Sequence, residues 1–413
     1  MNQKVLIRQQ FMKEGKVLDS GFDEKYMRLA LKLAERGCGK VNPNPMVGAV
    51  IVKDGKVIAG GYHTQYGHLH AEREAFAALK NPEDAAGADL YVTLEPCCHQ
   101  GKQPPCTEAI LEHKIARVFV GSSDPNPLVA GKGVSMLREH GVRVTEHVLE
   151  EECSRLNEVF FHYIKTKQPY VVMKYAMTMD GKIATVSGKS RWITGETARR
   201  RVHEDRNRYT GIMVGIQTVL KDDPMLNCRL EGGRNPVRIV CDSSLRIPED
   251  SQLVKSAGEI PLWIAAVRPE KNPDQAADVK KASEEEKNQM NTDWKASRLE
   301  AAGCRILYVD ADENGHVDLS KLMGLLGQEG IDSILLEGGA QLHESALRSR
   351  IVNKVQAYIA PKLFGGKGAP SPLGGCGVDA PDEAWMLSKP VITVLDPDLL
   401  LESEVIYPCL QES

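Results

Sequence analysis

One imidazole and two thiols stand at spacings that suit a catalytic metal. His70 and Glu72 are separated by one residue, and Pro96-Cys97 and Cys106 follow further along the chain. One imidazole and two thiolates would hold tetrahedral zinc through three protein ligands and leave one position for water. Zinc lowers the pKa of such a water towards about 7, and Glu72 could carry its proton to a leaving amine. The pattern predicts hydrolytic deamination.

The two cysteines are more widely spaced than in the usual deaminase signature. H-x-E followed by P-C marks zinc-dependent nucleobase deaminases, and their second cysteine normally lies three residues after the first. Here position 100 is Gln, and Cys106 lies nine residues beyond Cys97. The alternative is a closed structural zinc site with Cys98 or His99 as the fourth ligand. That alternative does not account for the carboxylate beside His70.

Composition excludes several other classes of protein. The chain has 413 residues, enough for two or three domains of about 150 residues each. The 52 Lys and Arg against 56 Asp and Glu give a net charge of -4, so no strong positive field exists to attract nucleic acid or an anionic membrane. Ten cysteines are too sparse for a disulfide scaffold. Residues 1–16 lack a signal-peptide pattern, and no apolar run reaches the roughly 20 residues of a membrane span, so we expect a cytoplasmic protein.

Alternating helices and strands are predicted to position the metal ligands. Asp54-Gly55 predicts a hairpin between strands 48–53 and 56–62, and a helix is expected to begin near His70. A buried strand at 89–94 ends just before Pro96-Cys97, and a helix is predicted at 107–113. We therefore expect an α/β domain over residues 1–148, followed by a linker at 149–168.

The same alternation restarts in the second half and predicts a further α/β domain over residues 169–413. Strands are expected at 170–177, 211–215, 237–241, 262–267 and 331–336. The charged stretch 270–299 is interpreted as a solvated surface insertion. No G-x-G-x-x-G follows a strand, which argues against an ordinary Rossmann site. Instead, Glu337-Gly338-Gly339 before a helix would present backbone N–H groups to an anion such as a pyrophosphate.

Several longer motifs resemble those of one enzyme family. They are the runs at 43–50, 70–72, 95–106, 174–181, 190–195 and 218–224. Over most of its length the chain resembles the RibD family of bifunctional riboflavin-biosynthesis enzymes, in which a pyrimidine deaminase is fused to a uracil reductase. The resemblance implies an α/β fold with a cytidine-deaminase-like three-layer domain followed by a dihydrofolate-reductase-like domain. It also implies Zn²⁺ and NADPH as cofactors.

The resemblance assigns roles to individual residues. It implies that His70, Cys97 and Cys106 bind zinc and that Glu72 is the proton donor. It implies that NADPH contacts a cofactor set, namely Ala176, Trp192, Thr218, Asp222, Ser243 and the turn Gly339, Ala340, Gln341, Leu342, His343, Glu344 and Ser345. It implies that the reductase substrate contacts a second set, namely Ser190, Arg206, Leu226, Arg229 and Glu337.

A ribose phosphate on the pyrimidine would need polar and positive donors near the deaminase site. Asn44, His63, His99 and Lys102 are the candidates. The arginines of the second half, Arg206 and Arg229, can make charge-assisted hydrogen bonds to a phosphate there.

The expected function is sequential deamination of 2,5-diamino-6-(5-phosphoribosylamino)pyrimidin-4(3H)-one and NADPH-dependent reduction of the ribosyl group to ribityl. One alternative is an adenosine or cytidine deaminase acting on RNA, which would require a basic channel and the shorter P-C-x-x-C spacing. The other is a fusion in which one half alone is active. We also expect a small-molecule substrate, no nucleic-acid or membrane partner, and a homo-oligomeric state.

Overall fold

The computed structural model describes residues 24–100, 103–126, 129–268 and 284–408, with side chains in the helix that begins at Glu284 described from residue 293 onward. The chain divides into two compact units after Lys167. In the described residues, no helix is both long enough and apolar enough to cross a lipid bilayer.

The first unit is built on a mixed five-stranded sheet in the order β2-β1-β3-β4-β5 within the described residues. β1 is antiparallel to β2 and β3, whereas β3, β4 and β5 are parallel. Asp54 and Gly55 both have positive φ, which is the backbone conformation that joins β1 and β2 in a tight hairpin. The strands are β1 Gly48–Lys53, β2 Lys56–Tyr62, β3 Asp89–Leu94, β4 Arg117–Ser122 and β5 Arg143–Thr145.

Helices cover both faces of this sheet and make three layers. Met27, Ala30 and Leu33 pack on one face, and Gly48 allows this approach because a Cβ there would lie 2.0 Å from the Ala30 carbonyl oxygen. The other face buries an apolar cluster that includes Phe76. The helices are α1 Glu24–Ala34, α2 Ala71–Ala77, α3 Cys106–Glu112, α4 Lys132–Glu139, α5 Glu150–Leu156 and α6 Glu158–Thr166.

The predicted hairpin, the strand 89–94 and the helix near His70 are confirmed, and α3 begins one residue earlier than predicted. The segment 149–168, which is predicted to be a linker, instead contains the helices α5 and α6. These helices belong to the first unit, because Cys153 of α5 is buried in its core. Only residues 167–169 separate α6 from the next strand.

The second unit contains a ten-stranded sheet within the described residues, in the order β10-β9-β8-β7-β11-β6-β12-β15-β13, with β14 also paired to β15. The strands from β10 to β12 run parallel, and helices join them. Their apolar runs are buried on both faces, as parallel strands require. The strands are β6 Tyr170–Thr178, β7 Gly211–Gly215, β8 Val237–Cys241, β9 Leu262–Val267, β10 Arg305–Val309, β11 Ser333–Leu336, β12 Lys354–Ala360, β13 Met386–Leu387, β14 Val391–Leu395 and β15 Asp398–Ile406.

The five predicted strands of the second unit are confirmed, whereas β10, β12 and the antiparallel strands β13 to β15 have no counterpart in the prediction. The interpretation of 270–299 as a solvated surface insertion is wrong for its last residues. Residues 270–283 lie outside the described residues, and the last turns of α10 bury Ala296 and Leu299 in the core. The helices are α7 Glu196–Arg208, α8 Ile216–Asp222, α9 Gln252–Lys255, α10 Glu284–Ala301, α11 Leu319–Gln328 and α12 Ala340–Arg348.

Candidate active sites

His70, Cys97 and Cys106 meet in the first unit, with their candidate ligand atoms all within 4.8 Å of one another. His70 caps the N-terminus of α2, and Cys106 is the first residue of α3. Cys97 follows β3, and the backbone N–H of Cys106 donates to its Sγ at 3.4 Å. Two helix N-termini therefore converge on the cluster, an arrangement that favours thiolates.

The cluster fits a zinc ion by its dimensions and its donor types. The His70 Nδ1 atom lies 3.5 Å from the Cys97 Sγ and 3.4 Å from the Cys106 Sγ. A tetrahedral ion with zinc–sulfur and zinc–nitrogen bonds of about 2.3 and 2.0 Å would separate such atoms by about 3.5 Å. Within the described chain, Cys98 and His99 lie outside this cluster, so three protein donors converge there.

Hydrogen bonding and burial perturb the groups of this site. The bond between the two thiols, together with His70, lowers the pKa of Cys97, whereas the same bond and burial raise the pKa of Cys106. Glu72 is 3% exposed, and burial, reinforced by the charge on Cys97, raises its pKa to about 6. A buried carboxyl with such a pKa can both take up and release a proton near neutral pH.

A cavity of about 360 Å³ opens onto the cluster and onto Glu72. Asn44, His63 and His99 line this cavity, whereas Lys102 lies outside the described residues. His63 is held by the Leu69 carbonyl oxygen at 3.0 Å and by the Asn44 amide at 3.3 Å. The buried Nδ1 atom of His99 has no hydrogen-bond partner among the described residues, so it is available to a ligand.

Sequence reasoning missed several residues of this cavity. Phe160, Tyr163 and Ile164 contribute part of its wall from α6, the helix in the predicted linker. The apolar residues around Phe160 are the sequence feature that could have indicated a packed helix here and not a linker. Asp124 also lines the cavity, and burial raises its pKa to about 6.

Glu95 has a structural position beside the cavity. Its carboxylate accepts hydrogen bonds from the backbone N–H groups of Gly131, Gly133 and Val134 at 2.9 to 3.3 Å. These groups lie at the N-terminus of α4, whose free donors and dipole favour a carboxylate. Glu95 thereby fixes the start of the segment that carries Cys97.

A cavity of about 1180 Å³ occupies the second unit, where β6 and β11 end and α12 begins. This is the sheet edge at which parallel α/β folds bind ligands. All five predicted substrate contacts line it, namely Ser190, Arg206, Leu226, Arg229 and Glu337. Six of the predicted cofactor contacts line it as well, namely Ala176, Trp192, Asp222, Gly339, Ala340 and His343.

Glu337 and Arg206 form a buried ion pair on the wall of this cavity. Arg206 donates from Nε and Nη2 to the two Glu337 oxygens at 2.8 and 2.9 Å, and from Nη1 to the Asn227 carbonyl oxygen at 3.0 Å. Burial opposes ionisation of Glu337, but Arg206 and Lys174 outweigh it and lower the pKa of Glu337 to about 2. The guanidinium expected to meet a phosphate is therefore already bound to a carboxylate.

The six remaining predicted cofactor contacts are not among the residues that line this cavity. Residues 339–345 form the start of a helix, because Gly339 caps α12, and are not a turn throughout. Gln341 is exposed, Leu342 packs beside Gly215, Glu344 pairs with Arg348 and Ser345 is half-buried. Thr218 lies beside Gly339, whereas the Ser243 hydroxyl accepts from the Val317 N–H at 3.2 Å.

Comparison with known proteins covers both units. Residues 20–122 match the cytidine and deoxycytidylate deaminase zinc-binding region, and residues 169–401 match the RibD C-terminal domain. The riboflavin biosynthesis protein RibD of Actinobacillus pleuropneumoniae is 51% identical over 386 residues, which is 94% of this chain and 96% of the relative. RibD of Escherichia coli K12 is 37% identical over 356 residues, 83% of this chain and 89% of the relative. The chain belongs to the RibD family.

Solved structures support the same membership. A deaminase/reductase from Thermotoga maritima is 36% identical, with a TM-score of 0.74 over 93% of this chain and 98% of that chain. RibD of Acinetobacter baumannii is 30% identical, with a TM-score of 0.75 over 93% of this chain and 98% of that chain. As a RibD family member, the chain is a bifunctional enzyme with a cytidine-deaminase-like zinc-binding domain and a dihydrofolate-reductase-like, NADPH-dependent domain. Neither the RNA deaminase nor the half-active fusion is favoured.

Proposed function

We propose that the first unit, including residues 1–148, hydrolyses the exocyclic amino group of 2,5-diamino-6-(5-phosphoribosylamino)pyrimidin-4(3H)-one. His70, Cys97 and Cys106 would hold a zinc ion, which when bound would activate water for attack on the ring carbon. Glu72 accepts a proton and returns it to the departing amine, a role that its burial beside His70 supports. The products are the uracil derivative and ammonia.

The deaminase substrate is held by polar groups of the cavity wall. Two histidines are suited to the ring and its ribose phosphate: His63, fixed by Leu69 and Asn44, and His99, whose Nδ1 has no partner among the residues that the structure describes. Lys102 supplies the positive charge in this proposal. A small molecule suits a cavity of about 360 Å³, whereas a polynucleotide would need a basic surface.

The second unit, residues 169–413, reduces the ribosyl group of 5-amino-6-(5-phosphoribosylamino)uracil. NADPH, when bound, would donate a hydride to C1 of the ribosyl group, where the bond to the ring oxygen breaks; that oxygen takes up a proton and becomes a hydroxyl of the ribityl chain. Trp192, which is 61% exposed, offers a flat face to the cofactor, and the α12 N-terminus at Gly339 offers N–H groups to its pyrophosphate. The remaining proposed cofactor contacts are Ala176, Thr218, Asp222, Ser243, Ala340, Gln341, Leu342, His343, Glu344 and Ser345.

Ser190, Leu226, Arg229, Arg206 and Glu337 are the proposed contacts of the reductase substrate. Because Arg206 is engaged by Glu337 and Asn227, we assign Arg206 to the orientation of Glu337 and the phosphate to Arg229. Arg229 lines the cavity from the segment after α8, and its Nε lies 3.5 Å from the Asn227 side-chain oxygen. An exposed arginine can still present its other donors to a phosphate.

The observation that carries the proposal is a three-ligand cluster beside a buried carboxyl, in a chain with a second, separate cavity. The test is zinc content together with ammonia release and NADPH consumption on the phosphoribosylamino pyrimidine. We expect about one zinc per chain and the two activities in sequence. Zinc-free protein with full deaminase activity, or NADPH consumption that does not require the deaminated product, would contradict the assignment.

We also propose that the enzyme is a homo-oligomer paired through its C-terminal strands. Among the described strands β14 pairs only with β15, and Val391, Ile392 and Val394 are 50 to 72% exposed. Exposed apolar edge strands are normally covered. Exposed apolar side chains of β13 and β15 extend this surface, namely Met386, Leu387, Leu399 and Ile406. Ile392→Lys is expected to yield monomers in sedimentation, and an unchanged mass would refute this pairing.

A further inference from the structure

The segment that delivers Cys106 to the metal cluster is tied to the rest of the site by two side chains. We propose that Arg73 and Gln103 are positioning residues of the deaminase, which clamp residues 103–106 against α2 and against the turn that precedes His70. The inference rests on the proposed function, because it concerns the geometry of the same three ligands. Neither residue touches the cluster itself within the described contacts.

Arg73 connects the helix that follows His70 to the segment that precedes Cys106. It lies on α2, three residues after His70 and one after Glu72. Its Nε donates to the Pro104 carbonyl oxygen at 3.1 Å, and its Nη2 donates to the Pro105 carbonyl oxygen at 2.8 Å. A planar guanidinium can hold two adjacent carbonyls in a fixed orientation, which a single ammonium cannot do.

Gln103 makes a second connection on the cavity side. Its Nε2 donates to the Gly67 carbonyl oxygen at 3.2 Å, and both residues line the deaminase cavity. Gly67 precedes His70 by three residues, so this bond ties the approach to the imidazole to the approach to the second thiol. Together these three bonds tie residues 103–106 to α2 and to the turn that precedes His70.

The wide cysteine spacing explains why such a clamp is needed. Nine residues separate Cys97 from Cys106, and a longer connection has more conformations to lose when its ends are brought together. Pro105 is the N-cap of α3, and its apolar ring makes no capping hydrogen bond. With Arg73 holding the two proline carbonyls, Cys106 starts α3 at a defined place, and its Sγ stays 3.4 Å from His70 Nδ1.

The test compares Arg73→Met, Arg73→Lys and Gln103→Ala with the wild-type enzyme. Arg155→Met is the matched control, because Arg155 pairs with Glu151 on the surface of the same unit. Three quantities are measured on full-length holoenzyme: the rate of zinc release to a chromogenic chelator, kcat and KM for ammonia release, and the rate of NADPH-dependent reduction. The rate of NADPH-dependent reduction reports whether the second unit of the same polypeptide is folded.

We expect Arg73→Met to release zinc about tenfold faster and to lose about tenfold in deaminase kcat, as for other residues that support metal ligands. Arg73→Lys should recover part of both losses, since it keeps the charge and one donor. Gln103→Ala should act in the same direction to a smaller extent. KM should change less than kcat, and reduction should remain at the wild-type rate.

The proposal is overturned if Arg73→Met and Gln103→Ala release zinc and ammonia at the rates of Arg155→Met. It is also overturned if Arg73→Lys is no better than Arg73→Met, because a clamp that donates hydrogen bonds must respond to a remaining donor. If Arg73→Met does not accumulate as folded protein, Arg73→Lys and Gln103→Ala decide. Wild-type protein that lacks zinc would instead contradict the proposed deaminase function, which separates the two failures.

Discussion

Replacement of Glu337 by Gln tests the electrostatics of the reductase cavity. Gln has nearly the shape of a protonated Glu, so Glu337→Gln removes the charge and keeps the volume. In the folded chain Arg206 and Lys174 overcome burial and lower the pKa of Glu337 from 4.5 to about 2. Each unit of such a shift corresponds to about 1.4 kcal/mol, so the charged form contributes about 3 kcal/mol to the free energy of unfolding at pH 7.

The sign of the effect fixes its pH dependence. Because the folded-state pKa is depressed, the contribution is complete above pH 4.5 and is lost as the pH falls towards 2. The wild-type and Glu337→Gln proteins should therefore differ by about 3 kcal/mol at pH 7 and by about half of that at pH 3. The same variant should lose reductase activity while ammonia release persists.

Urea unfolding followed by tryptophan fluorescence measures this difference in unfolding free energy, and the signal comes from the second structural unit, which contains Glu337. All four tryptophans, Trp192, Trp263, Trp294 and Trp385, lie after residue 168. Glu329→Gln is the matched control, because Glu329 forms a bidentate pair with Arg305 on the surface, and its effect should be much smaller. A Glu337→Gln effect below about 1 kcal/mol, or one that is constant from pH 7 to pH 3, would refute the reasoning.

Three further predictions concern the first unit. Glu72→Gln should reduce ammonia release at least about 100-fold while NADPH oxidation on supplied deaminated substrate persists, and the loss of both activities would contradict independent sites. Cys106→Ser should lower the zinc content measured by atomic absorption, whereas Cys98→Ser should retain it because Cys98 lies outside the cluster; equal losses would be inconsistent with this ligand set. Gly48→Ala should destabilise the first unit by about 1 to 3 kcal/mol, because the added methyl would lie 2.0 Å from the Ala30 carbonyl oxygen. Calorimetry that finds an unchanged melting transition for this unit would contradict that close approach.

The metal cluster could be predicted because its residues stand at the ends of strongly patterned elements. Apolar runs identify β3 and the strands on either side of Asp54-Gly55, and the carboxyl end of β3 leads directly to Cys97. His70 and Cys106 occur where helices begin, so local sequence already places them at one edge of a sheet. Local patterning and motif spacing are therefore sufficient to predict the three ligands of the metal cluster.

Other features needed contacts between residues far apart in the chain. Sequence spacing contains no signal that Arg206 would be bound by Glu337, 131 residues away, and unavailable as a free phosphate ligand. The predicted linker at 149–168 also includes α6, although Phe160 and Tyr163 of this helix line the deaminase cavity.

By itself, the sequence determined the alternation of helices and strands, the two functional halves and the types of residue that can bind zinc, because these follow from period, composition and local motif. Only the tertiary structure decided which charged groups are paired, which helices line the cavities and how Arg73 reaches the Pro104 and Pro105 carbonyls. The physical reason is that a side chain's partners and its exposure to water depend on which distant segments pack against it.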